Sequence, residues 1–321
     1  MALINAKPKY QDYNKLNTNK KNLLVRIVLS AATAVFLLLL WCVNILPFPV
    51  KLWFGKRLGV LLYWIPNSRT HITRTNIALC FPQMSKRQQE AMVRQVFENF
   101  GASLIESAMG WWDSPEKIQS MTEIIGLEHL EHAKSKGKGV LFIGAHFSTI
   151  DLAAKLTSNL FKCYAMYRQQ NNPVLNWVMT RGRNRQVLGM IPHTSMRGAA
   201  KALRQNQIVW YSPDQDMGED KSVYAPFFGH PAATITATAK LAKLSGAPLV
   251  MFVSYRKADD SGYVAKLIPG PDNFPSGDEE ADATAVNALI EQGVRCAPAQ
   301  YYWFHRRFKT QPGLEKGALY K

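Results

Sequence analysis

The feature that most constrains this chain is an apolar run near its N-terminus. Residues 27–43 (IVLSAATAVFLLLLWCV) carry no charge, and apolar neighbours at 24, 25, 45 and 46 are available to extend the run. A stretch of this length reaches the lower limit for crossing the hydrocarbon core of a bilayer. A cleaved signal peptide fits poorly, because the basic region ahead of the run is long and no small-x-small site follows it. The run therefore predicts a retained membrane anchor.

The positive charge of the chain is concentrated around this run. Lys and Arg number 39 against 23 Asp and Glu, which gives a formal net charge of +16. Between residues 13 and 89 there are eleven Lys and Arg and no acidic residue. A nucleic-acid-binding protein would carry its charge on the folded domain, so we expect an anionic membrane surface as partner and no nucleic acid. Because cations stand on both sides of the run, the positive-inside rule assigns no orientation.

The segment after the run predicts a helix lying in the membrane interface. Residues 51–65 (KLWFGKRLGVLLYWI) mix Lys and Arg with Leu and aromatic residues, as interfacial helices do. These patterns divide the chain into a basic tail at 1–22, a membrane anchor with interfacial segment at 23–66, a main domain at 67–312 and a C-terminal tail at 313–321.

The main domain alternates between helical and extended patterns. Ser85 and Gln88 match a capping box at the start of a helix at 85–109. Continuous apolar runs predict buried strands at 139–145, 161–167, 207–211, 248–255 and 263–268. Helices are predicted at 150–160, 173–186, 196–204, 234–244 and 278–296. This alternation predicts an α/β domain with a mostly parallel central sheet flanked by helices.

Polar clusters follow three of the predicted strands. His146 and Asp151 follow the first, Arg168 the second, and Asp214 and Asp216 the third. Functional groups of open α/β sheets collect beyond the carboxyl ends of strands, so we expect one shared crevice. If His146 lies in the strand-to-helix turn and Asp151 in the first helical turn, Asp151 can accept a hydrogen bond from one imidazole nitrogen and leave the other to take a proton.

The chemistry expected of this His–Asp pair is activation of a substrate hydroxyl. No GxSxG elbow supplies a protein nucleophile, so the pair suits attack of a substrate alcohol on a preformed ester or thioester. The alternative is a buried histidine that is hydrogen-bonded for packing.

Two arginines and two aspartates are further candidates for substrate binding. The fork geometry of Arg168 suits phosphate, and Arg183 lies in an Arg-rich stretch at 180–185; a solvated basic face is the alternative for both. Asp214 and Asp216 are expected to bind sugar hydroxyls or to brace arginines. The spacing of the two aspartates is also found in divalent-metal sites, but no nearby His or third carboxylate completes a set of ligands here. The four cysteines are widely scattered and form no CxxC pair, which argues against a disulfide scaffold or a zinc ribbon and suits a reducing compartment. No metal or cofactor is expected.

These residues also carry a family resemblance. The HxxxxD element from His146 to Asp151 resembles that of the lysophospholipid-type acyltransferases. Within them the chain is similar to the late acyltransferases of lipid A biosynthesis, above all their lauroyl-transferring members, from about residue 43 to 312. The landmarks are NIALCFP at 76–82, GAHFSTID at 144–151, YR at 167–168, NP at 172–173, VWYSPDQD at 209–216, PFFG at 226–229, PA at 231–232 and QYYWFHRRFK at 300–309. Many members carry Glu at the position of Asp151.

The resemblance implies a glycerolipid-acyltransferase-like fold and secondary acylation of lipid A. An acyl chain, of twelve carbons in the most similar members, would move from acyl-acyl carrier protein to the 3-hydroxyl of a fatty acid on a Kdo-bearing lipid A precursor. His146 would act as general base with Asp151, on the cytoplasmic face of the inner membrane. Two alternatives stay open: a glycerophospholipid acyltransferase, which would share His146 and Asp151, and a non-catalytic membrane-surface binding protein, which leaves the three polar strand ends unexplained.

Overall fold

A computed structural model describes the chain from residue 20 to residue 321, with side chains from residue 27 onward. Residues 1–19 of the predicted basic tail lie outside the described residues. The described helices are α1 (Lys20–Asn44), α2 (Phe48–Trp64), α3 (Ser68–Cys80), α4 (Lys86–Trp112), α5 (Pro115–Gln119), α6 (Leu127–Ser135), α7 (Ala153–Leu156), α8 (Pro173–Asn184), α9 (Met196–Arg204), α10 (Ala237–Ser245) and α11 (Glu279–Cys296). The described strands are β1 (Thr122–Ile125), β2 (Val140–Ile143), β3 (Tyr164–Tyr167), β4 (Gly189–Pro192), β5 (Ile208–Tyr211), β6 (Ser222–Phe227), β7 (His230–Ile235), β8 (Leu249–Arg256) and β9 (Tyr263–Pro269).

The centre of the fold is a seven-stranded sheet with the order β1-β9-β8-β2-β5-β3-β4. Its strands pair in parallel except for β8 and β9, which are antiparallel. Strands β6 and β7 form a separate hairpin. Every residue of β2 is buried, as a continuous apolar run predicts for a strand covered on both faces. The predicted mostly parallel sheet flanked by helices is confirmed.

The predicted elements are most accurate where the local signal is strong. Helix α4 begins with the predicted capping box, in which Ser85 and Gln88 hydrogen-bond each other's backbone N–H groups. The sequence did not reveal β1, β4 or the β6–β7 hairpin, since none of these strands is buried along its whole length as β2 is. The helix predicted at 150–160 is too long, because residues 148–152 form turns and only α7 is helical; within the turns the Thr149 hydroxyl donates to the carbonyl oxygen of Ser254.

The N-terminal helices pack on the domain through α4. Residues Ile27–Asn44 of α1 are long and apolar enough to cross a membrane, the one such stretch among the described residues. The backbones of α2 and α4 are in direct contact at glycine residues. A Cβ atom on Gly101 would lie 2.0 Å from the carbonyl oxygen of Gly55 and 2.4 Å from the backbone nitrogen of Gly59. The exposed side of α2 carries Trp53 and Phe54.

We expect Gly101→Ala to destabilise the protein by about 1–3 kcal/mol, because the added methyl forces α2 away from α4. The measurement is the free energy of unfolding, or the shift in Tm, of the full chain in detergent. Gly189→Ala in β4 is the matched control, since its Cβ would meet a single tyrosine ring at 3.0 Å. Equal stability loss in the two variants would contradict the contact.

The C-terminal residues belong to the domain. The sequence predicts 313–321 as a tail outside it, but Tyr320 is buried, accepts a hydrogen bond from the backbone N–H of Phe308 and donates one to Asn76 of α3. This correction has a simple cause: a short polar segment gives no periodic signal, although one aromatic residue is enough to dock it.

Candidate active site

The site forms where two neighbouring parallel strands end. Strands β2 and β5 pair with Ile143 opposite Tyr211, and His146 and Asp214 each stand three residues beyond that last pair. Equal offsets from paired positions bring the two side chains together. The Nδ1 atom of His146 lies 2.7 Å from Oδ1 of Asp214, and the backbone N–H of His146 donates to Oδ2 at 2.9 Å.

The partner of His146 corrects the expectation from sequence. That expectation places Asp151 on the imidazole, but Asp214 accepts from Nδ1 and Asp151 is turned toward α4 and α8. Arg183 donates from Nε to Asp151 Oδ1 at 2.7 Å, and its Nη2 forms an ion pair with the same oxygen at 2.5 Å, while Ser107 Oγ donates to Oδ2 at 2.9 Å. Gly110 of α4 permits this arrangement, because a Cβ there would lie 2.5 Å from the Asp151 carbonyl oxygen.

The charges of the pair favour one tautomer of His146. Burial disfavours the charged form of Asp214, but the imidazole beside it and the hydrogen bonds from His146 hold the pKa of Asp214 far below its usual value. Asp214 is therefore ionised and can only accept, so Nδ1 carries the proton and Nε2 presents its lone pair. Burial lowers the pKa of His146, yet the Asp214 charge and hydrogen bond together outweigh it, and the net pKa is raised. The side chain of His146 is 32% exposed, which leaves it accessible to substrate.

The turn that carries His146 is fixed by the C-terminal stretch at 300–302. Gln300 accepts the backbone N–H of Ser148 at 2.8 Å, and the backbone N–H of Tyr302 donates to the carbonyl oxygen of His146 at 2.7 Å. Phe147 pairs with Tyr301 in an antiparallel bridge. These bonds hold the turn, and with it the imidazole of His146, in one position.

Two side chains behind Asp214 were not singled out from the sequence. Tyr301 is buried and His305 half-buried, with ring centroids 5.7 Å apart, and both interact electrostatically with Asp214. Burial lowers the pKa of His305 to about 4, so it is neutral. Its Nδ1 lies 2.7 Å from the carbonyl oxygen of Tyr302, which can only accept. The aromatic and cationic stretch at 300–309 was the available signal.

The structure places the other predicted site residues differently. Asp216 is buried and bound by the backbone N–H of Thr310 at 2.7 Å, by its hydroxyl at 3.0 Å and by Lys309, so it braces the C-terminal stretch. Arg168 is exposed just beyond β3. Arg183, at 25% exposure, stands close enough to His146 for its charge to act on the imidazole. The crevice thus unites His146, Asp214, Asp151 and Arg183, with Asp216 behind it.

An apolar cavity begins beside Asp151 and Arg183, whereas His146 and Asp214 do not line it. Asp151, Arg183 and Gln186 lie on its polar side, and its remaining wall is mostly apolar. The apolar lining includes Phe142, Ala154, Phe161, Ala165, Trp210 and Phe252. A hydrocarbon chain suits such a lining, and the charged groups lie where its polar end would sit. Among the described residues no group of three or more His, Cys, Asp or Glu is arranged to hold a metal ion.

Comparison with known proteins identifies the family of the chain. The model of the family described as bacterial lipid A biosynthesis acyltransferase matches residues 18–310. The chain belongs to this family. It is 39% identical over 274 residues to a lipid A biosynthesis lauroyltransferase of Escherichia coli strain K12, which covers 85% of this chain and 90% of that protein. A lipid A biosynthesis palmitoleoyltransferase of the same strain is 37% identical over 282 residues, covering 88% and 92%.

More distant similarity adds little. A lipid A biosynthesis acyltransferase of Haemophilus influenzae is 32% identical over 279 residues, covering 86% and 89%. The crystal structure of the 1-acyl-sn-glycerophosphate acyltransferase PlsC from Thermotoga maritima aligns with 80% of this chain and 100% of that one, at 14% identity and a TM-score of 0.35. As a family member the protein is an acyltransferase, its acceptor is of the lipid A type, and it associates with membranes.

Proposed function

We propose that this lipid A acyltransferase moves a fatty acyl chain, lauroyl in the first instance, from acyl-acyl carrier protein to the 3-hydroxyl of an acyl chain on a Kdo-bearing precursor. The observation that carries the proposal is the hydrogen bond between His146 and Asp214, together with Arg183, which lines a mostly apolar cavity and whose charge acts on the His146 imidazole. The 39% identity to a lauroyltransferase supports the chain length.

In the proposed reaction, His146 acts as general base and then as general acid. Nε2 takes the proton of the acceptor hydroxyl as its oxygen attacks the thioester carbonyl carbon. Asp214 stabilises the imidazolium that forms. When the tetrahedral intermediate collapses, the C–S bond breaks and the imidazolium returns the proton to the leaving thiolate. The net products are the new ester and the free thiol of the carrier, so no further reactant is needed.

Arg183 and Asp151 are proposed to serve the same step as a pair. The guanidinium of Arg183 is held by Asp151 at the polar side of the cavity. Its positive charge lowers the pKa of the His146 imidazole. A fixed cation in this position stabilises the negative charge that develops on the thioester oxygen. Arg168, exposed beyond β3, is proposed to contact a phosphate of the acceptor.

The membrane location follows from the same proposal. Segment 23–66 is proposed as the membrane unit and 67–321 as the catalytic domain, on the cytoplasmic face of the inner membrane. Acyl carrier protein is strongly acidic, and the excess of Lys and Arg in this chain would attract it.

The test is acyl transfer by the purified full chain in detergent, analysed by mass spectrometry. With lauroyl-acyl carrier protein we expect the Kdo-bearing precursor to gain one acyl group. Lysophosphatidic acid, offered separately, is expected to gain none. Acylation of lysophosphatidic acid alone would favour the glycerophospholipid alternative, and no transfer to either acceptor would contradict the proposal.

Filling the cavity is expected to change the preferred donor. Ala165→Leu places three extra carbons in the wall, so a long chain loses more than a short one. Each displaced methylene is worth ~1–3 kcal/mol, or roughly 10–200-fold, and we expect the ratio of lauroyl to octanoyl transfer to fall at least tenfold. The matched control is Ala281→Leu, exposed on α11, which should leave the ratio unchanged. Equal ratios in both variants would place the acyl chain elsewhere.

A further inference from the structure

Exposed apolar side chains are concentrated on the N-terminal helices. Between residues 27 and 65 they include Phe36, Leu38, Leu39 and Trp41 of α1. On α2 they are Val50, Trp53, Phe54, Leu58, Leu61 and Trp64. Large apolar patches of this kind mark an interaction surface, and the tryptophans are typical of the headgroup level of a bilayer. The occupant that suits both helices is therefore lipid.

The opposite side of α1 packs on the domain over much of its length. Leu37, Leu40 and Asn44 are buried, at spacings of three and four that define one helical face. One turn earlier on the same face, Thr33 accepts a hydrogen bond at 2.8 Å from Asn172, the residue that caps α8. Helix α1 thus contacts the domain along its last three turns, from Thr33 to Asn44.

A buried polar cluster fixes the elbow between α1 and α2. Asn44 donates to Asp113 at 2.7 Å, and Lys51 of α2 donates to the Asn44 side chain at 3.0 Å and to Asp113 at 3.2 Å. Lys51 is fully buried. Removing one member would leave a buried charge without its partner, which is strongly unfavourable. Helix α1 is therefore fixed on the domain at both ends of its contact, by Asn172 at Thr33 and by Asp113 and Lys51 at Asn44.

This contact is incompatible with a helix that crosses the bilayer. The eighteen residues Ile27–Asn44 span about 27 Å at 1.5 Å per residue, close to the ~30 Å hydrocarbon core. In a crossing orientation Thr33 would lie about 16 Å below the Asn44 end. Asn172 and the exposed Gln169, Gln170 and Asn171 before it would then sit inside hydrocarbon, where irregular backbone and polar side chains are not tolerated.

We infer that α1 does not cross the membrane but lies with α2 in a single leaflet, keeping its contact with Asn172. Both ends of α1 are then on the same side as the catalytic domain. This arrangement also accounts for the cations on both sides of the apolar run, since both flanks meet the headgroups of one leaflet. Helix α8, which α1 touches through Asn172, carries Arg183, so lipid would approach the site from that leaflet. The inference needs membrane association alone and does not depend on acyl transfer.

The first experiment measures on which side the N-terminus lies. Ala6→Cys and Ser135→Cys, the latter exposed on α6, are made singly in a full chain whose four native cysteines are replaced. A membrane-impermeant maleimide is applied to sealed bacterial spheroplasts and again after permeabilisation. We expect positions 6 and 135 to react under the same condition. Reaction of one in sealed spheroplasts and of the other after permeabilisation alone would overturn the inference, as would recovery of the chain in the soluble fraction.

The second experiment asks whether α1 stays on the domain in the membrane. In the same background, Thr33→Cys with Asn172→Cys is treated in intact membranes with a short bis-methanethiosulfonate reagent. We expect an intramolecular cross-link, seen as a change in gel mobility that reduction reverses. Val35→Cys with Asn172→Cys is the matched control, because Val35 faces away from the domain and is 59% exposed. A helix that leaves the domain to cross the bilayer would give no cross-link in the 33–172 pair.

Discussion

Replacing His146 with alanine is expected to lower the rate of acyl transfer by about 10²–10⁴-fold, the usual contribution of a general base. The imidazole is the group whose Nε2 lone pair is free to take the acceptor proton, because Asp214 occupies Nδ1. The fold should survive, since the side chain is partly exposed and its backbone bonds to Asp214 and Tyr302 persist in the variant. The measurement is kcat for lauroyl transfer, with membrane recovery and Tm as checks on folding.

His132→Ala is the control for this variant. His132 is exposed on α6, away from the crevice, and its loss should leave kcat unchanged. A His146→Ala enzyme with wild-type kcat would show that the proton is taken elsewhere, and the proposed mechanism would then fail even if lipid A acylation itself were observed.

The rate is also expected to depend on pH through the same imidazole. His146 accepts a proton only when neutral, so activity falls as pH drops through its pKa. The neighbouring Asp214 raises that pKa above the ordinary value near 6.5. The acid limb of kcat/KM, which reports the free enzyme, should therefore lie above pH 6.5, and activity should rise with pH across it.

The sequence was sufficient for the fold class and for the strand ends, and insufficient for the pairing between them. Continuous apolar runs located β2 and β5, and the structure brings together His146 and Asp214, polar residues that follow them. The order of strands in the sheet is set by long-range packing, so no local pattern reveals that β2 lies beside β5. Because the sequence does not show that β5 is the neighbour of β2, it favours Asp151, the nearest acid along the chain, as the partner of His146. In the structure the partner is Asp214, which follows the neighbouring strand β5.

A similar limit applies to the N-terminal region. Composition predicts an apolar anchor and an interfacial helix, but it treats Lys51 as a cation facing lipid headgroups. The structure buries Lys51 against Asn44 and Asp113. Asp113 is 62 positions away in the chain, and only the packing of α2 on α4 brings the two together.

The acid that orients His146 can be identified by comparing Asp214→Asn with Asp151→Asn. Asp214→Asn is expected to lower kcat on the order of 10⁴-fold. The amide of asparagine can donate to Nδ1, which favours the tautomer that carries its proton on Nε2 and so removes the base. Asp151→Asn removes the charge that holds Arg183. Any fall in kcat in this variant should therefore come from the loosened Arg183, while His146 keeps its tautomer.

The pH profile separates an orienting acid from one that merely supports the structure. Removing the Asp214 charge leaves burial as the dominant influence on the imidazole, so the pKa of His146 falls and the acid limb of the residual activity should move to lower pH. In Asp151→Asn the charge of Asp214 is intact, and the freed Arg183 remains a cation near the imidazole. The acid limb of the pH profile should therefore not move to higher pH, and its shift should be far smaller than in Asp214→Asn. An acid limb that moves in the Asp151 variant and stays in the Asp214 variant would return the orienting role to the acid within the HxxxxD element. The strand pairing of β2 with β5 argues for the first outcome, because it holds both oxygens of Asp214 on a single residue, one on the imidazole and one on the backbone of His146.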